Sequence, residues 1–348
     1  MRKLFINTVK WLENLPGQQT RPNFCCLSVT ERCTLKCRMC FKWKDDVSAL
    51  PPRNNHPTVT DWRNAIASIR KLAGSGFTVN FGGGEPFLME ELLELVRFAG
   101  NIGLKTNIAT NAYLIDEPLA KAIAESGLTT INLSLDSFKD TTHDYLRGVE
   151  GVYKRVMLAV DYLDTYCPEL QKGICCVISS LSAGDILELT ERVQRDNRLD
   201  WIYFMAVMQP NNTGMDSRWY QKDFSHLWPQ EIKQVYDLIG RLIELKRKGW
   251  KIVNHLSQLK AFRRYFICPE RFIKISECNL SRAIHVSSVG DVFICFQQDK
   301  LGNITKDSIE YLWYSHKAKL AREAVRNCRQ NCHFLLNCFF EGDLPFSI

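Results

Sequence analysis

Three thiols stand close together near the start of the chain, where Cys33-Thr34-Leu35-Lys36-Cys37-Arg38-Met39-Cys40 spaces them as C-x3-C-x2-C. A loop this compact can turn three thiolates toward one point, as iron–sulfur clusters and zinc both require. No fourth Cys or His lies close by, because Cys25 and Cys26 fall within a predicted strand. Three ligands to a four-iron cube leave one iron open to a small molecule. The bland alternatives are a structural zinc loop, or three cysteines that share no ligand.

Other residues could serve a ligand at the same place. In Phe81-Gly82-Gly83-Gly84-Glu85-Pro86, successive glycines let a backbone approach a ligand, and Glu85 offers a carboxylate to an ammonium. Taken alone, that stretch also reads as a flexible turn. Asn111 closes one predicted strand, and Asn132-Leu133-Ser134-Leu135-Asp136 closes the next. Alternation puts Asn132, Ser134 and Asp136 on one face. Such a polar row is costly inside a core without partners, but at a rim it can bind hydroxyls. The Arg147 guanidinium suits a carboxylate through its bidentate geometry, and a surface ion pair is the competing reading.

A second cysteine group lies toward the C-terminus. Cys278, Gly290 and Cys295 form C-x11-G-x4-C, and Cys328, Cys332 and Cys338 follow, giving five cysteines in 61 residues. That density points to metal, with structural zinc as the alternative. Cys268 precedes Cys278 by ten residues and reads as an extra ligand, a buried thiol or a hydrogen-atom donor. Cys25, Cys26, Cys167, Cys175 and Cys176 are not at ligand spacing and read as small apolar residues. His285, within a strand, reads as a satisfied structural histidine.

These residues need elements to position them. Short β-branched or apolar runs at 24–29, 77–81, 105–109, 129–135, 174–179 and 201–207 alternate with helical patterns at 61–72, 90–98, 117–125, 153–163, 183–195 and 230–248. Strand alternating with helix implies parallel strands joined by crossover helices. The expected fold class is α/β, a partial (β/α)6 TIM-type barrel with chemistry at the C-terminal strand ends. After about residue 250 the rhythm changes to a β-hairpin, 283–287 and 291–296, and a helix at 308–326. The expected division is an N-terminal arm over 1–23, a core over 24–250 and a small cluster domain over 251–348, poor enough in apolar residues to need metal.

The chain has 348 residues, 45% hydrophobic and 24% charged, which excludes a disordered or fibrous protein. Its net charge of +7 is not gathered into any patch that argues for nucleic acid. No apolar run approaches the roughly 18 residues of a membrane span, and membrane association is not expected. The start carries basic charge without an apolar core, so no export signal is read and a cytoplasmic location with reduced thiols is expected for the 14 cysteines.

C-x3-C-x2-C after the first strand of such a barrel resembles the radical S-adenosylmethionine (radical SAM) superfamily, with Met39 where its pattern usually has an aromatic residue. The resemblance implies that Cys33, Cys37 and Cys40 hold a 4Fe–4S cluster whose open iron chelates the amine and carboxylate of SAM. It implies that Gly83, Gly84, Glu85 and Pro86 form the motif near the SAM amino group, that Ser134, Asp136 and Asn111 serve the ribose, and that Arg147 approaches the SAM carboxylate. The later cysteines resemble the twitch domain, the shorter relative of SPASM. One auxiliary 4Fe–4S cluster is implied, on Cys278, Cys295, Cys332 and Cys338 with Cys328 as substitute, because relatives commonly show C-x2-C where this chain has C-x3-C. Family precedent supplies an external reductant such as flavodoxin or ferredoxin and a 5′-deoxyadenosyl radical that takes a hydrogen atom from the substrate. With no leader-peptide-binding domain read ahead of the barrel, a small molecule such as a sugar or natural-product intermediate is favoured over a peptide. The rival is a non-catalytic zinc or iron–sulfur electron-transfer protein. Anaerobically purified protein should carry about eight irons per chain, as two four-iron clusters require; one or two zincs in their place would favour the rival.

Overall fold

The computed structural model describes residues 21–40, 42–44, 56–210, 213, 216, 218–270, 279–328 and 336–337. Strands β1 (Phe24–Thr30), β2 (Thr78–Gly83), β3 (Lys105–Thr110), β4 (Thr130–Ser134), β5 (Gln171–Ile178) and β6 (Trp201–Ala206) pair in parallel, each with the next. The helices among them are α1 (Val59–Ala73), α2 (Leu92–Asn101), α3 (Glu117–Ser126), α4 (Asp140–Arg147), α5 (Val152–Tyr166) and α6 (Ile186–Arg195). Since β1 and β6 do not pair with each other, the six-stranded barrel is partial, as expected. The sheet then continues through β1 to β7 (Ala283–Val286), β8 (Asp291–Phe293) and β9 (Gly302–Asn303), in the order β6-β5-β4-β3-β2-β1-β7-β8-β9. β7 pairs in parallel with β1, while β8 returns antiparallel in the expected hairpin.

Helix chemistry is local and conventional. At α1, Thr58 and Asp61 cap each other reciprocally, and Trp62, Ile66 and Ile69 turn inward at helical spacing. Two helices were not anticipated: α4, and α8 (Leu256–Ile267), which packs on α7 (Ile232–Arg247). The expected helix over 308–326 divides into α9 (Ile309–Tyr314) and α10 (His316–Arg326). Ser315 breaks it, because its hydroxyl caps the Ala318 N–H at 3.1 Å and donates to the Leu312 carbonyl at 2.7 Å.

One face of the barrel sheet is apolar and lies under the helices. Leu27, Val79, Phe81, Ile108, Ile131, Leu133, Ile174 and Phe204 are fully buried there. The inner face is polar and carries a ladder of side chains across the strands. Asn80 Nδ2 donates to the Cys25 carbonyl at 2.8 Å, and Asn107 Nδ2 to Asn80 Oδ1 at 3.0 Å. Thr130 and Asn132 both donate to Asn107 Oδ1 at 2.9 Å, and Trp201 Nε1 donates to Asn132 Oδ1 at 3.1 Å. The indole crosses β5 only because residue 173 is glycine; a Cβ there would stand 1.8 Å from Trp201 Nε1.

β6 is an edge strand, yet two asparagine side chains take up its outward backbone groups. Asn254 bonds both the N–H and the carbonyl of Phe204, at 2.7 and 2.8 Å. Asn337 does the same for Ala206, at 2.9 and 2.8 Å. Edges need such cover, since open N–H and C=O rows recruit other chains. Asn337 lies between Cys332 and Cys338 in sequence.

Gly173→Ala should therefore cost about 2 kcal/mol through overpacking, read as a lower urea midpoint. In a Trp201→Ala background the same change should cost much less; an equal cost in both backgrounds would contradict the packing account.

Candidate metal and cofactor site

The cysteine loop follows β1 and is held on three sides. On the first, Gly84 N–H donates to the Thr30 carbonyl at 2.7 Å and Glu85 N–H to the Arg32 carbonyl at 2.8 Å. A Cβ on Gly83 would meet Thr30 O at 2.2 Å, and one on Gly84 would meet Arg32 O at 2.1 Å. The close approach that the glycines permit is thus to the cysteine loop itself. Gly83 also has φ 128°, a region that favours glycine.

On the second side stands the end of α4. Lys36 and Arg38 N–H donate to the Arg147 and Leu146 carbonyls at 3.2 and 2.9 Å. Arg38 also donates from Nε to the Tyr145 carbonyl at 3.0 Å and stacks on the Tyr145 ring. Gly148, at φ 70°, ends the helix left-handed, and a Cβ there would lie 2.1 Å from Lys36 O. On the third side, Asn111 Nδ2 reaches Cys33 Sγ at 3.7 Å and Thr34 Oγ1 at 3.4 Å.

Glu85 is fully buried and turned inward rather than held out to a ligand. It accepts from Thr110 Oγ1 at 2.7 Å, Asn111 N–H at 2.9 Å and Phe87 N–H at 3.2 Å. Burial pushes its carboxyl above the usual range against the pull of those bonds. Pro86 begins the short 3-10 turn Pro86–Leu88 that Glu85 caps.

Asp136 is also fully buried. Its Oδ1 accepts the Val177 N–H at 2.9 Å, and its Oδ2 lies 2.8 Å from Arg147 Nη2. That ion pair is close but not aligned as a hydrogen bond, leaving Oδ2 without a hydrogen-bond partner. Arg147 Nη1 lies 4.0 Å from Cys37 Sγ. The residues expected at the ribose and at the SAM carboxylate are here paired with each other behind the cysteine loop. His143, fully buried on α4, accepts the Asp136 N–H at Nδ1, and burial holds it neutral. Its role escaped the sequence reading together with α4; the buried His143, Leu146 and Arg147 at i, i+3 and i+4 were the available signal. Ser134 faces inward at the end of β4, opposite Cys175 on β5. Cys26 and Cys175 are partly exposed, unlike the buried Cys25, Cys167 and Cys176.

The cysteine loop suits an iron–sulfur cluster. Burial pushes the Cys37 thiol up to about 11, against the pull of Arg147, and burial also raises Cys33. Cys37 feels the charge of Cys33 and Cys40, and Cys33 that of Cys40; a metal centre would hold all three as thiolates. Among the described residues no three His, Cys, Asp or Glu side chains converge on one ion. Close by, Asp136 Oδ2, His143 Nε2 and Arg147 Nε are buried without hydrogen-bond partners, a condition that native sites relieve with a ligand or water.

Of the second group, Cys295 and Cys328 are partly exposed, Cys295 just beyond β8 and Cys328 beyond α10. Cys278, Cys332 and Cys338 lie outside the described residues, as does the expected arm apart from residues 21–23. Cys268 caps α8, close enough to Tyr220 to act on its charge, and Tyr220 donates to Glu270 Oε1 at 2.7 Å. His285 packs between Phe24 and Phe296, but its Nδ1 has no partner, so it is structural without being satisfied.

Residues 27–193 match the Radical SAM superfamily, and residues 278–338 match the SPASM iron–sulfur cluster-binding domain. The chain belongs to the radical SAM superfamily. Its cofactors are accordingly a 4Fe–4S cluster, SAM and an auxiliary iron–sulfur cluster. Among relatives, the Fe-coproporphyrin III synthase of Methanosarcina barkeri is 29% identical over 74% of this chain and 60% of its own. The PqqA peptide cyclase of Rhodopseudomonas palustris is 30% identical over 36% of this chain and 32% of its own. The match thus spans less than two thirds of either relative. In fold, this radical SAM chain resembles AdoMet-bound anSMEcpe (TM-score 0.63, 19% identity, 90% of this chain and 88% of that one). It also resembles Streptococcus suis SuiB bound to S-adenosylmethionine (TM-score 0.65, 18% identity, 91% and 71%). Gly148→Ala should push the helix end off the cysteine loop and lower bound iron by about four per chain; full iron content in that variant would contradict the clamp.

Proposed function

We propose that this chain is an enzyme that uses SAM to take a hydrogen atom from an organic substrate. The observation that carries the reading is the three-sided hold on a loop with three thiols, beside buried polar atoms that lack partners. Cys33, Cys37 and Cys40 would hold the first cluster. When bound, the cluster and SAM supply one-electron cleavage of the sulfonium carbon–sulfur bond, giving methionine and a 5′-deoxyadenosyl radical.

The chain's own residues orient and enclose. Glu85 ties the glycine turn to the end of β3, so the backbone of Gly83 and Gly84 keeps its place beside the loop. Asn111 directs its amide at Cys33 while its carbonyl holds the Tyr113 N–H at 2.9 Å. Ser134 offers a hydroxyl to the ligand on the inner face. The Asn80–Asn107–Asn132–Trp201 ladder lines that face below it. Cys278, Cys295, Cys332 and Cys338 would hold the auxiliary cluster, with Cys328 as the substitute. Asn337, next to Cys338 in sequence, is itself bonded to Ala206 of β6. Cys268 would serve as hydrogen-atom donor or extra ligand, and an external reductant such as flavodoxin or ferredoxin would supply electrons.

The relatives are named for an iron porphyrin, a peptide and, in GTP 3′,8-cyclase of Microcystis aeruginosa, a nucleotide. The preference for a small molecule therefore gains no support, and a peptide substrate stands equally with it. The net outcome, whether oxidation, epimerisation or bond formation, follows from that substrate. With SAM and dithionite, the reconstituted protein should form 5′-deoxyadenosine, and Cys37→Ala should reduce it at least about 100-fold, within the range lost with an essential group. Undiminished cleavage in the variant would refute the assignment.

A further inference from the structure

The Asp136–Arg147 pair is a charged pair buried in the barrel, with side-chain exposures of 0% and 10%. A buried ion pair is weak evidence of a stabilising role, because desolvation offsets most of its attraction. What distinguishes this pair is its position. Arg147 Nη1 lies 4.0 Å from Cys37 Sγ, and Nη2 lies 2.8 Å from Asp136 Oδ2. Neither partner can drift. The Arg147 carbonyl accepts the Lys36 N–H at 3.2 Å, which ties the backbone carrying the guanidinium to the backbone carrying Cys37. The Val177 N–H holds the Asp136 carboxylate at 2.9 Å, against β5.

We propose that this pair sets the reduction potential of the cluster held at Cys37, with Arg147 favouring the reduced state and Asp136 opposing it. Both act as positioning residues, through charge placed behind the sulfur. The proposal rests on the reading above that Cys33, Cys37 and Cys40 hold a four-iron cluster. Reduction adds one electron from the titrant and no proton, so the complex becomes more negative by one charge, shared among iron and sulfur. A fixed cation beside one sulfur stabilises that charge, strongly where water is excluded, and charge near the sulfurs is a recognised lever on cluster potential. The carboxylate behind the guanidinium cancels part of its effect. The two residues must therefore act with opposite sign, which a purely structural role would not produce.

The test is an anaerobic redox titration of the reconstituted full-length protein, followed by electron paramagnetic resonance. The signal of the first cluster is identified by its change on adding SAM. At the wild-type midpoint, Asp136→Asn should raise the reduced-to-oxidised ratio about tenfold, equal to about +59 mV for one electron. Arg147→Gln should lower the ratio about tenfold, by the same conversion. Arg147→Lys, and the double variant Asp136→Asn with Arg147→Gln, should both stay within about threefold of wild type, a shift of about 28 mV or less. Shifts of the same sign in both single variants, or no shift in either, would overturn the proposal. Loss of iron from both single variants would also overturn it, by assigning the pair to cluster assembly. A wild-type signal that ignores SAM would overturn the cluster reading, and this proposal with it.

Discussion

Everything distinctive in this molecule depends on how tightly a short loop of cysteines is gripped by backbone on two sides. The glycine turn after β2 presses one side so closely that a single methyl group on Gly83 or Gly84 would overlap carbonyl oxygens of the loop. The left-handed end of α4 presses the other through Gly148. Flexible loops lose conformational entropy when they bind a rigid cofactor. Here folding has already spent that entropy, through four backbone hydrogen bonds from Gly84, Glu85, Lys36 and Arg38. The thiols are thereby presented as a fixed set.

The same grip explains why acidic groups are buried so close to the loop. Glu85 costs desolvation free energy and recovers part of it through three hydrogen bonds that join the β2 turn to the end of β3. Asp136 joins β4 to β5 and meets α4 through Arg147. Each carboxylate works as a cross-brace between neighbouring strand ends, the part of a parallel barrel that carries chemistry. At the far edge, Asn254 and Asn337 brace β6 with neutral amides.

Much of the architecture was legible in the amino-acid sequence because it is written in periodicity. All six parallel strands lie within a few residues of their predicted bounds, since alternation and apolar runs reflect burial directly. Helix α4 was not legible. It has eight residues, a low apolar content, and an inward stripe made of His143, Leu146 and Arg147 rather than aliphatic side chains. The break at Ser315 was hidden for a related reason, because a capping serine inside a helical pattern looks like an exposed polar position. Site residues divide along the same line. The C-x3-C-x2-C spacing is local and could be read at once, whereas the partnership of Asp136 with Arg147 spans two elements. Glu85 shows the limit most clearly: its motif was visible, but only tertiary structure turns its carboxylate inward.

The clamp, the three thiols and the unpartnered buried atoms converge on one claim, that a cluster on this loop leaves a single iron for SAM. That contact can be observed by electron–nuclear double resonance on the dithionite-reduced protein, with SAM labelled by 15N in its amino group. The account predicts a nitrogen coupling strong enough to require direct coordination, lost in the Cys37→Ala variant. A reduced cluster that shows no coupling to the label, with SAM demonstrably bound, would contradict it.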